Sequence, residues 1–127
     1  MRRLALIFAL AAVAPFPALA DASQQIVARP SLVRFGHTLI VKGSGWPVIE
    51  FCSRKVRLSL STSQNAVAIG TVRVKDNGRF RFKWVPRRSK VGAGDWLVVA
   101  RMRCESGKDG SIHYRRANDL IRIGVPL

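Results

Sequence analysis

The stretch RVKDNGRFRFKW, residues Arg73 to Trp84, places five cationic side chains in twelve residues around a short turn. Its period decides how it folds. A two-residue turn at Asn77-Gly78 would set Lys75 opposite Phe80 and Val74 opposite Arg81, mixing charges and rings on each face. A three-residue loop, Asp76-Asn77-Gly78, instead pairs Lys75 with Arg79, Val74 with Phe80, Arg73 with Arg81 and Val72 with Phe82. Apolar side chains then point one way and basic ones the other. Strand side chains alternate, so the register that keeps one face apolar should win. Gly78 supplies the left-handed residue of a bulged turn. The expectation is a β-hairpin with two like-charged cross-strand pairs, each unfavourable by roughly a few tenths of a kcal/mol.

The same two-residue period runs through the chain after Ala20, and no window has the spacing of an amphipathic helix. Strands are expected near Ile26–Val33, Thr38–Lys42, Lys55–Ser61, Val67–Lys75, Arg79–Val85, Asp95–Cys104 and Asp119–Val125. The turn-forming runs GSGWP, STSQN, KDNG, PRRSKVGAG and ESGKDGS separate most of them. About seven short strands in about 100 residues indicate an all-β, immunoglobulin-like Greek-key sandwich; a small barrel is the main alternative.

The first 20 residues are of a different kind. A basic start at Arg2 and Arg3 leads into an apolar run from Leu4 to Val13. Pro15, Pro17 and the small-x-small triplet Ala18-Leu19-Ala20 follow, the layout of a signal peptide cleaved after Ala20. The run is shorter than the roughly 20 residues that span a bilayer, and no later segment reads as a transmembrane anchor. The division expected is a signal peptide over residues 1–20 and one domain over 21–127, with export to the periplasm, cell envelope or medium. Cleavage takes the basic residues from 22 to 20 against seven acids, so the formal net charge falls from +15 to +13. Such a surplus attracts anionic polymers and surfaces and is silent about fold.

An exported chain with two cysteines favours a disulfide. If the third and sixth strands are antiparallel neighbours, as in an immunoglobulin-like sandwich, Cys52 can face Cys104. Val56 then faces Ala100, Leu58 faces Val98 and Leu60 faces Trp96, all on one side, with Lys55 against Arg101 on the other. Arg54 would fall on the inner side and must lie beyond the strand's end. Closing a loop of about 50 residues stabilises by ~4 kcal/mol in the chain-entropy model.

The runs GHTLIVKGSGWP, AIGTVRVKDNGRFRFKWVP and GAGDWLVVARMRC resemble small immunoglobulin-like modules of secreted bacterial proteins. The resemblance covers Ile26 to Cys104 and rests on Gly43, Gly45, Trp46, Gly78, Phe80, Pro86, Gly94 and Trp96. It implies a sandwich and commonly an adhesive or accessory role, with no catalytic residues. A more distant similarity runs to neocarzinostatin-type apoproteins, which imply an apolar-ligand cleft. This chain departs from them in having two cysteines rather than two bridges. It departs from antibody-type domains because Trp46 precedes Cys52.

Catalytic chemistry finds little footing. His37 and His113 sit in turn-like sequences, and no nucleophile elbow or glycine-rich anion loop is present. No Cys/His spacing suits a metal, so neither catalytic residues nor cofactors are expected. Phe80, Phe82 and Trp84 alternate with charges as on single-strand nucleic-acid platforms, but alternation sends the rings to the core. Trp46 reads as a packing plug, and Tyr114 as the aromatic most exposed. The basic residues remain. Lys55, Arg57, Arg101 and Arg103 should line the outer face of one sheet, with Arg73, Lys75, Arg79, Arg81 and Lys83 on a hairpin face. Arg87 and Arg88 crowd one loop, and Arg115 and Arg116 another. The function expected is a non-catalytic binding module for an anionic polymer, surface or acidic protein. Nucleic acid fits the charge but meets an exported protein only after lysis or during uptake. A small-ligand carrier and a secreted inhibitor or accessory protein are the alternatives.

Overall fold

The computed structural model describes residues 24–125, so the sequence read as a signal peptide lies outside the described residues. Eight strands and no helix occur among them: β1 (Gln25–Arg29), β2 (Leu32–Arg34), β3 (Leu39–Ser44), β4 (Cys52–Ser61), β5 (Ala66–Arg73), β6 (Phe80–Trp84), β7 (Gly94–Glu105) and β8 (Ile112–Gly124). They form two sheets, β1-β3-β6 and β2-β8-β7-β4-β5. All neighbours are antiparallel except β2 and β8. The strand order and crossovers are those of an immunoglobulin-like sandwich.

Buried side chains from alternate positions fill the space between the sheets. Leu39 and Val41 from one sheet meet Val56, Leu58, Leu60, Val98, Ala100, Met102, Ile121 and Ile123 from the other. Phe80 is buried, and Phe82 and Trp84 pack against the same core. The rings of the basic–aromatic run therefore face inward, as alternation requires. Trp46 plugs one corner. Its backbone N–H donates to the Gly78 carbonyl at 3.1 Å, its indole N–H to the Gln25 carbonyl at 3.2 Å, and its ring lies 5.8 Å from that of Phe80. Gly78 has φ +80°, and a β-carbon there would meet the Trp46 carbonyl oxygen. Both conditions favour glycine at this position.

The structure corrects the sequence-based expectations in four places. First, there are eight strands rather than about seven, because the run Ile26–Val33 is divided between the two sheets. Pro30, in a cis bond to Arg29, has no N–H to donate and interrupts the ladder there. Second, the last strand starts at Ile112, not near Asp119.

Third, β5 and β6 are not hairpin partners. The turn closes as expected, with Lys75 N–H donating to the Arg79 carbonyl at 2.8 Å and Gly78 N–H to that of Lys75 at 2.9 Å. The strands then part into different sheets. Arg73 lies opposite Lys55, and Arg81 opposite Lys42. Alternation sets which side of a strand faces the core; it does not choose the neighbour.

Fourth, Cys52 does face and bond Cys104, but the strands slide by two residues beyond them. Val56 faces Met102, Leu58 faces Ala100, Leu60 faces Val98 and Arg57, not Lys55, faces Arg101. A bulge in β4 between Cys52 and Val56 takes up the difference. An even slip keeps the apolar series on one face. Within the bulge, Arg54 folds over: its guanidinium donates to the Val74 carbonyl at 3.1 and 2.7 Å and to Asp76 Oδ1 at 2.8 Å.

Candidate functional site

The outer face of the five-stranded sheet carries two rows of side chains running across the strands. Thr71, Arg57, Arg101 and Arg116 stand side by side on β5, β4, β7 and β8. Toward the disulfide end follow Arg73 opposite Lys55, and Arg103 opposite Tyr114. Adjacent strands lie about 4.8 Å apart, and the rows are separated by two residues, about 6.7 Å. Six cations are thus gathered from four strands. Ser53, Lys55, Arg57, Thr71, Arg101, Arg103 and Tyr114 line a trough of ≈ 460 Å³ in this face. The Arg101 guanidinium sits 5.0 Å from the Tyr114 ring centroid, the cation–π arrangement that holds both in place.

Among the described residues, no acid forms an ion pair with these cations. The ion pairs among the described residues are Arg29–Asp119 at 3.1 Å, Arg54–Asp76 at 2.8 Å and Arg122–Asp95 at 2.8 Å. Arg122 holds the Asp95 carboxyl below the usual carboxylate value, first by hydrogen bonding and then by charge, and its own pKa rises in return. Asp109 is lowered by hydrogen bonds from the Ser111 backbone and side chain and from Ser106. Glu50 and Glu105 share a depression with Ser53 and Arg103 at the disulfide end of the rows, and Asp76 shares one with Arg73. The like-charged neighbours Arg57–Arg101, Arg101–Arg116 and Lys55–Arg73 keep their repulsion, roughly a few tenths of a kcal/mol each in water.

The basic residues expected from sequence do not form one site. Arg73 and Arg116 join Lys55, Arg57, Arg101 and Arg103. Arg81 and Lys83 stand on the opposite side of the molecule, on the outer face of the three-stranded sheet, where Arg81 neighbours Lys42. Lys75 and Arg79 flank the turn. In the following loop, the Arg88 guanidinium lies 5.3 Å from the Phe35 ring, and Arg87 shares a shallow depression with Lys83 and Lys90. Arg115 is separated from Arg116: it lies opposite the buried Met102, half-buried, with no hydrogen-bond partner for its Nε.

Thr71, Ser53 and Lys42 were not singled out by sequence. The alternation of Tyr114 and Arg116 was the available signal for extending β8 back to Ile112. His37 lies in a turn, whereas His113 is an exposed strand residue opposite Cys104. No group of three or more His, Cys, Asp or Glu side chains among the described residues could hold a metal ion.

No family model and no curated protein matches this sequence. Among solved structures, the chain is similar to the CARDB domain of the PF1109 protein from Pyrococcus furiosus, a complex with di-metal ions. The identity is 14%, over 83% of this chain and 93% of that one, with a TM-score of 0.40. It is also similar to murine CRIg, at 12% identity over 82% of this chain and 98% of that one, with a TM-score of 0.43.

Proposed function

We propose that this chain is an exported, non-catalytic binding module that holds an anionic component of the cell envelope on the outer face of its five-stranded sheet. The observation that carries this reading is the double row itself. Arg57, Arg101 and Arg116 in one row, and Arg73, Lys55 and Arg103 in the other, crowd together, and the acids that border the rows at Arg103 and Arg73 form no ion pair with them. The three ion pairs among the described residues leave them all out. A surface selected only for solubility gains nothing from such neighbours, since interspersed signs avoid the repulsion. A polyanion laid across the rows removes it. The net charge of +13 after signal cleavage steers such a partner from a distance. The apolar-ligand carrier of the neocarzinostatin kind is less well supported, because the trough is lined by cations and hydroxyls rather than apolar side chains.

The mature protein should bind immobilised polyphosphate and polygalacturonate at about 50 mM salt and lose affinity steeply by about 200 mM. Arg57→Gln with Arg101→Gln should lower affinity and flatten the salt dependence. Arg81→Gln with Lys83→Gln, on the other face, should change both much less. Absence of polymer binding at low salt, or equal effects from the two pairs, would overturn the assignment.

A further inference from the structure

The trough holds more than charge, and its other groups bear on what it takes. Three hydroxyl-bearing side chains, Ser53, Thr71 and Tyr114, are interleaved with its four cations. Tyr114 is 48% exposed. Arg101 lies over its ring, and the part of Tyr114 that stays exposed offers apolar C–H surface and a hydroxyl among the cations of the trough. Phe80, Phe82 and Trp84 point into the core. Phe51, 52% exposed, is more exposed than Tyr114 and is the aromatic that sequence reading missed. It lies in the neighbouring depression with Glu50 and Glu105 and not in the trough. The volume, ≈ 460 Å³, lies within the range of small-molecule sites.

We propose that the trough is a subsite for one anionic sugar unit, a pyranose bearing a carboxylate or a phosphate ester. The apolar C–H face of the ring lies against Tyr114. The hydroxyls of Thr71 and Ser53 meet the sugar hydroxyls, and Arg57, Arg101 and Lys55 meet the anion. This rests on reading the five-stranded face as an anion-binding surface and names the chemistry of what it binds. A bare polyanion would use the cations and leave the hydroxyls and the ring idle. Single-stranded nucleic acid stacks successive bases on several aromatics, and this trough offers one.

The test titrates the mature protein at about 50 mM salt with tetragalacturonate, glucose 6-phosphate, maltotetraose, polyphosphate and oligothymidylate, following binding by calorimetry. Tetragalacturonate or glucose 6-phosphate should bind, the better of the two identifying the anion, and neutral maltotetraose should bind far less. Tyr114→Ala should weaken the anionic sugars by roughly fivefold and leave polyphosphate binding unchanged, while Tyr114→Phe retains most of the affinity. Arg57→Gln should weaken both sugar and polyphosphate. If Tyr114→Ala leaves sugar binding untouched or weakens every anion equally, the sugar subsite is overturned while the charged face stands. Preference for oligothymidylate over the sugars also overturns it. If neither polyphosphate nor any sugar binds the wild-type protein, the anion-binding reading itself fails.

Discussion

Arg57 stands between Thr71 and Arg101 across the sheet, exposed, with a like charge on one side and no acid opposite. Arg101 has a compensation that Arg57 lacks, because its guanidinium rests over Tyr114. Removing one charge from this row relieves repulsion without taking away a hydrogen bond or ion pair. Threonine also suits an exposed strand position. Arg57→Thr should therefore raise unfolding stability by roughly a few tenths of a kcal/mol. Denaturant midpoints would register the change, with the slope of the transition unaltered. The same substitution should weaken polyanion binding, so stability and affinity move in opposite directions. A clear loss of stability would mean that the Arg57 stem covers apolar surface that its charge conceals.

At the scale of elements, the bulge in β4 shapes the site. It inserts two extra residues after Cys52 and slides Arg57 into line with Arg101. Arg54 pins it from below through the Val74 carbonyl and Asp76, and the same contacts fasten β4 to the end of β5. Hydrogen bonds from a charged donor to a part-buried carbonyl contribute about 1.5–3 kcal/mol. Arg54→Ala should thus destabilise the protein by about 1–2 kcal/mol and speed amide exchange at Val74, whose N–H donates to the Arg54 carbonyl at 2.7 Å. Little of this could be read in advance. The pairing of β4 with β7 was supposed from an immunoglobulin-like arrangement. The parity of Cys52 and Cys104 with the apolar series agreed with it and indicated which side faces inward, because alternation survives an even slip. The slip itself has no sequence mark. Neither does the separation of β5 from β6, since both strands obey the same alternation whichever neighbour they take. Hence Lys55, Arg57, Arg101 and Arg103 were legible as a shared face. The arrival of Arg73 and Arg116 beside them was not, and the crowding read into the turn around Gly78 belongs instead to two separate sheets.

The molecule as a whole depends on one covalent tie, placed within the sheet that bears the site. Cys52 and Cys104 join β4 to β7, 52 residues apart in sequence, and no free cysteine remains among the described residues. Closing a loop of that length removes unfolded-state entropy equivalent to ~4 kcal/mol, a large part of the roughly 5–15 kcal/mol by which domains are stable. The tie also lies beside the trough. Ser53 and Arg103 are next to the cysteines in sequence, and Lys55 lies in the bulge that begins at one of them. Cys52→Ala with Cys104→Ala should therefore do two things. The denaturant midpoint should fall by an amount approaching that entropy term. Under conditions where the variant is still folded, binding of polygalacturonate should weaken, because the bulged end of β4 loses its anchor to β7. An unchanged midpoint would show that hydrogen bonding and the core hold the two strands without the bridge. A lower midpoint with undiminished polymer binding would show that the rows of cations keep their spacing without it, leaving the bridge a role in folding stability alone.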